Sequence, residues 1–148
     1  MILTLILAAA VAFACAAVRH HLEHTEQKET HYLDGRGVRT ALYNRGSAFG
    51  LLPLGRCALA VVSAAVMVLS LPLWRRSRLG CAQQQGAAQL LGGGASNLYE
   101  RLSGRGVFDY IQFPKAPGRL KKYVFNLADF AIFLGAVCIS LASGGKHR

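Results

Sequence analysis

Apolar residues fall into four blocks along this chain, with polar and charged stretches between them. Ile2 to Val18 holds seventeen residues and no charge, the short end of the roughly 17–25 apolar residues that a bilayer-crossing helix requires. A cleaved leader is the rival reading. A basic start and a small-residue cleavage site before Arg19 are both missing, so the block reads as a first transmembrane helix. Cys57 to Trp74 is the clearest second span; Pro72 and Trp74 suit a membrane interface, and Arg75, Arg76 and Arg78 follow in a basic turn. Leu79 to Tyr99 is less apolar, with Gln83, Gln84, Gln85 and Gln89. Its Ala88, Gly92 and Ser96 nevertheless place small residues four apart, a spacing that lets helix backbones approach closely. It is expected to be a span shielded by other helices. Val124 to Ala142 forms the fourth span.

Between the blocks, periodicity changes. Gly104 and Gly106 break the third helix, and Val107 to Phe113 alternates apolar and polar positions around Asp109, which predicts a short strand. Segments 36–50 and 107–123 are expected to form small strands and a loop over one end of the helices. The predicted architecture is an all-α membrane protein: one domain over 1–148, four transmembrane helices and a small external β/loop cradle.

Composition supports that class. Of 148 residues, 53% are hydrophobic and 16% charged, against about 25% charged in soluble domains. The formal net charge is +10. No basic stretch interleaved with aromatic residues is present, which argues against nucleic acid and leaves phospholipid headgroups as the simpler partner for Arg119, Lys121 and Lys122. An even number of spans puts both termini on one side, and the Arg75–Arg78 turn places them in the cytoplasm. Segments 19–56 and 100–123 then lie outside with six Lys or Arg each, so charge alone does not settle orientation. Cys15, Cys57, Cys81 and Cys138 are far apart in sequence and read as reduced, buried thiols.

Polar residues interrupt the apolar blocks at a few places. Asn126 and Asp129 lie three apart at the start of the fourth span, on one helix face. Gly93, Asn97, Glu100 and Arg101 line one side of the third. Taken singly, these are ordinary interfacial groups, and Asp109 an ordinary loop carboxylate. Taken together, they bring two carboxylates to one membrane face from elements joined by a short loop. Two such groups in close approach do not both ionise easily: one keeps a proton while the other acts as a base. That pair is equipped to activate a water against a peptide carbonyl and to protonate the leaving amine. The scheme uses no metal or cofactor. His20-His21-Leu22-Glu23-His24 matches the short H-x-x-E-H metallopeptidase string; with no third ligand evident, it reads as a solvated extension of the first helix. A non-catalytic membrane scaffold explains the spans but not the settings of Asp109, Asn126 and Asp129.

Those settings carry a resemblance. Gly92-Gly93-Gly94-Ala95-Ser96-Asn97-Leu98-Tyr99-Glu100-Arg101, Gly106-Val107-Phe108-Asp109-Tyr110 and Phe125-Asn126-Leu127-Ala128-Asp129 resemble, in order, the motifs of the signal peptidase II family. Asn44-Arg45-Gly46-Ser47-Ala48-Phe49-Gly50 is similar to its N-x-G-x-A-[FW] segment. The resemblance spans roughly residues 42–140. It implies a four-helix aspartic peptidase of the bacterial cytoplasmic (inner) membrane, with its active site near the external face and Asp109 and Asp129 as the catalytic pair. Asn44, Asn97, Glu100, Arg101 and Asn126 would support the pair or bind substrate. The implied partners are prolipoproteins carrying a diacylglyceryl-modified cysteine, cut just before that cysteine, together with membrane phospholipids. A monomer is the expected working unit, and the family inhibitor globomycin is expected to bind. A family member with impaired catalysis, acting as a scaffold or lipopeptide-binding protein, is the alternative. Two departures stand out. The D-Q-x-[ST]-K motif usual at the end of the first helix is absent, the region reading Ala16-Ala17-Val18-Arg19-His20-His21, and Glu100 stands where an Asp is usual.

Overall fold

The structure, a computed structural model, describes residues 2–25, 29–32, 34–44, 64 and 81–144. Its elements are α1 (Ile2–His24), β1 (Thr30–Tyr32), β2 (Gly37–Asn44), α2 (Cys81–Leu102), β3 (Val107–Gln112), a 3₁₀ turn (Leu120–Lys122), β4 (Val124–Phe125) and α3 (Leu127–Gly144). The expected second span, 57–74, lies outside the described residues apart from Ala64, which is helical.

Three of the four expected spans thus appear as helices, with shifted limits. α1 runs beyond Val18 to His24 and takes in the histidine-rich stretch. It is long and apolar enough to cross a membrane, and α3 contains a shorter apolar helix, Leu127–Ala142. α3 starts later than expected: Val124 and Phe125 pair as β4, and Asn126 precedes the helix. The placement of Asn126 within the helical turns is thereby corrected.

Small residues set how closely the helices pack. A methyl group at Gly92 would lie 2.5 Å from the Ala8 carbonyl oxygen and 2.6 Å from Val11 Cβ, so the α2 backbone there meets both the backbone and a side chain of α1. Ala88, one turn earlier, joins Ala8 and Leu91 in the apolar core between the two helices. On its other side α2 meets α3 twice. A methyl at Gly135 would sit 2.6 Å from the Gly86 carbonyl oxygen, and one at Gly93 would sit 2.7 Å from that of Ala128. Contact this close relies on dispersion and shape, the forces that join helices where lipid removes a hydrophobic drive. Large apolar side chains point outward from both flanking helices among the described residues: Ile2, Leu3, Ile6 and Phe13 on α1, and Phe133, Leu134 and Leu141 on α3. Such surface is unfavourable in water and neutral in hydrocarbon.

The strands form one antiparallel sheet in the order β1-β2-β3-β4, more regular than a cradle of short strands and loop. Asp34 and Gly35, both at positive φ, turn β1 into β2, a conformation that Asp tolerates and Gly adopts freely. β2 and β3 pair through Val38–Gln112 and Arg39–Ile111, then, after a register shift, through Leu42–Asp109, Tyr43–Phe108 and Asn44–Val107. Side chains alternate faces along a strand, and diagonal neighbours on one face lie within reach of each other. This register therefore puts Asn44 and Asp109 on the same face.

Candidate active site

The site forms where the C-terminal half of α2, strand β3 and the start of α3 converge. Asn126 opens α3 as its N-cap. Its Oδ1 accepts the Asp129 backbone N–H at 2.9 Å, and Asp129 Oδ2 accepts the Asn126 backbone N–H at 3.1 Å. This is a reciprocal capping box built from Asn and Asp, satisfying two amides that the helix start leaves open. A third, the Leu127 N–H, donates to Tyr110 Oη at 3.0 Å.

The remaining capacity of Asn126 faces the two carboxylates. Its Nδ2 donates to Asp109 Oδ1 at 2.8 Å and to Asn97 Oδ1 at 3.1 Å. Asn97 Nδ2 in turn donates to Asp129 Oδ1 at 3.0 Å, and Asn44 Nδ2 donates to Asp109 Oδ2 at 3.1 Å. Each aspartate thus holds amide donors on both oxygens, and a chain of two asparagine amides links one carboxylate to the other. Asp109 and Asn126 are each 3% exposed; Asp129 is partly buried.

Burial pushes the Asp109 carboxyl up to about 6, working against the Asn44 and Asn126 donors, which favour its anion; the nearby Asp129 and Glu100 charges push the same way as burial. Desolvation penalises the charged form and is the leading cause. Tyr110, also buried, is pushed up to about 12 and stays protonated as it receives the Leu127 amide.

Glu100 is 5% exposed and does not behave as an interfacial charge. Its Oε2 accepts the Phe108 backbone N–H at 2.8 Å, tying the end of α2 to the strand residue before Asp109. Arg101 joins the network at its edge: its Nη1 donates to the Asn97 carbonyl oxygen at 3.3 Å, one turn back on its own helix. Gly93 contributes no polar group and instead gives α3 its close approach. Asn44, Asn97, Asp109, Asn126 and Asp129 are therefore brought into one network, Glu100 braces it, and Arg101 lies at its edge.

In the sequence, Tyr110 entered only as part of the motif around Asp109, with no role of its own. Tyr110 follows Asp109 in the strand, and its hydroxyl is the group that helps cap α3. Cys15 is a free thiol, 4% exposed, buried as the sequence suggested. In the H-x-x-E-H string, the His20 and His24 rings lie 4.2 Å apart and His24 Nδ1 contacts the His20 carbonyl oxygen at 2.8 Å. Glu23 turns instead to Tyr43 and Arg105.

Known proteins share both the sequence pattern and the fold. The family model for signal peptidase (SPase) II matches residues 3–144. A lipoprotein signal peptidase of Halothermothrix orenii is 32% identical over 102 residues, 69% of this chain and 66% of its own length. One from Syntrophomonas wolfei is 32% identical over 108 residues, 72% and 68% of the two chains. One from Methylorubrum extorquens is 38% identical over 107 residues, 69% and 60%. The matched stretch thus spans about two thirds or less of these relatives' own lengths. Two solved structures of a bacterial membrane enzyme superpose on all of this chain and on 94% and 96% of theirs, with TM-scores of 0.83 and 0.84. Identity there is 17% and 16%, so this likeness speaks for a shared fold alone. With the family model running over nearly its whole length, this chain belongs to the signal peptidase II family.

Proposed function

We propose that this chain is an aspartic endopeptidase that removes the signal peptide from diacylglyceryl-modified prolipoproteins, cutting before the lipidated cysteine, with Asp109 and Asp129 as its catalytic pair. One observation carries the reading: Asn126 donates to Asp109 Oδ1 while its backbone amide and Asn97 donate to Asp129. Two carboxylates held on one amide framework share protons as a unit. The ionised member takes a proton from water as its oxygen attacks the scissile carbonyl. The protonated member donates to the carbonyl oxygen as negative charge develops there. Collapse of the tetrahedral intermediate breaks the C–N bond, and the leaving amine takes the proton that the base had accepted. Asn44, Asn97 and Asn126 hold both carboxylates through these steps; Glu100 fixes β3 behind Asp109.

The whole chain, 1–148, acts as one integral-membrane domain of four spans, near 2–18, 57–74, 79–99 and, with Val124 and Phe125 taken into β4, 127–142, in the bacterial cytoplasmic membrane. The sheet and the site lie near the external face as a cradle for the lipidated peptide, the chain works as a monomer, and phospholipids surround it. Family membership and the outward apolar faces of α1 and α3 support this arrangement. The test is cleavage of a diacylglyceryl-modified prolipoprotein by purified protein in detergent or vesicles. Wild type cleaves, globomycin stops it, and Asp109→Asn and Asp129→Asn each lose roughly 10³-fold or more in kcat. Normal processing by either variant would remove the assignment.

A further inference from the structure

The C-terminal end of α1 grips the sheet beside the site. Tyr43 Oη donates to Glu23 Oε1, and Arg105 Nη1 lies 2.5 Å from that same oxygen. The Arg105 guanidinium sits 5.8 Å from the centre of the Tyr43 ring, and that ring packs at 5.2 Å on Phe108. A second tie runs from Arg39 Nη2 to the Leu22 carbonyl oxygen at 3.3 Å. α1, β2 and the loop between α2 and β3 therefore meet on one carboxylate, whose side chain is 11% exposed against 64% for Arg105.

What this junction holds is the end of β2. The β2–β3 ladder shifts register between Arg39 and Leu42, so the 42–44 end is aligned independently of the 38–39 end. Tyr43 is the residue before Asn44, the donor to Asp109 Oδ2. The side chains of Tyr43 and Asn44 leave opposite faces of the strand, so a hold on Tyr43 fixes where Asn44 points without occupying the site.

We propose that Glu23 is a positioning residue of this peptidase: through Tyr43 and Arg105 it holds β2 so that Asn44 stays bonded to Asp109. The proposal rests on the reading of Asp109 as catalytic. It assigns Glu23, Tyr43 and Arg105 an effect on the reacting carboxylates that passes chiefly through Asn44, with the Tyr43–Phe108 packing as the lesser route.

A double-mutant cycle on the full-length protein tests it, with a lipidated prolipoprotein as substrate. Glu23→Ala and Tyr43→Phe each lower kcat roughly tenfold, the worth of a hydrogen bond to a charged group, with KM within about twofold because neither residue meets substrate. Asn44's donation favours the Asp109 anion, so its loss moves the pH–rate profile to higher pH. Asn44→Ala moves it the same way. Glu23→Ala adds little in the Asn44→Ala background, since residues acting chiefly through one contact are not additive. Glu23→Gln keeps an oxygen for the Tyr43 hydroxyl and recovers part of the loss. Additive effects of Glu23→Ala and Asn44→Ala, or an unmoved pH profile in both Glu23→Ala and Tyr43→Phe, would overturn the proposal. Asp109→Asn is run alongside: if it remains active, the catalytic reading fails instead, whatever the cycle shows.

Discussion

At the scale of single residues, Asp109 combines burial with two amide donors, and the balance has a measurable sign. Its folded-state value, about 6, lies above the ordinary carboxyl value of 3.8. The folded protein thus holds a proton that the unfolded chain releases, and the stability tied to it is full below about pH 4 and lost as pH rises through about 6. At about 1.4 kcal/mol per unit, the difference amounts to roughly 3 kcal/mol. Asp109→Asn does not titrate. Its stability relative to wild type should therefore rise by up to that amount between pH 4 and 7, read as the gap between the two melting temperatures in detergent across a pH series. Asn126 separates folding from chemistry in a second way. Ser caps helices about as well as Asn but has no amide to bridge Asp109 and Asn97. Asn126→Ser should keep the helix cap but lose about 1–3 kcal/mol for the donor withdrawn from buried Asp109 and Asn97, and roughly 10- to 100-fold in kcat, measured on the same preparation.

At the scale of elements, the bond from Phe108 to Glu100 and the seam between α2 and α3 decide how well the site is built. Glu100→Ala would leave a buried backbone N–H without its acceptor, a loss of about 1–3 kcal/mol; Glu100→Gln keeps an oxygen there and should retain most of that stability, as thermal melting of the pair will show. Gly135→Ala would drive a methyl to 2.6 Å from the Gly86 carbonyl oxygen. With backbone on both sides, the helices must part, at about 1–3 kcal/mol, and kcat should fall with the melting temperature because Asn97 and Asp129 sit on these two helices. The helices themselves were legible in the sequence, since charge-free length and small residues four apart are local signals. β3 was legible from alternation around Asp109. β1 and β4, three and two residues long, are too short to carry a period, and β4 was absorbed into the fourth span because Val124 and Phe125 suit lipid as well as a sheet. Within the site, Asn97, Asp109, Asn126 and Asp129 were legible through their ordered motifs. Glu23 was not: its partners lie 20 and 82 residues away, and nothing local marks a contact of that range.

At the scale of the whole molecule, α2 is the central piece, with α1 on one side and α3 on the other, and the sheet joins their polar ends. The contacts at Gly92 and at Gly86 and Gly135 close both seams of α2. They also restrict traffic. Neither seam has room for a single added methyl, so neither admits an acyl chain several ångströms across. On the proposed function, the diacylglyceryl tail of a substrate is thereby kept out of both seams.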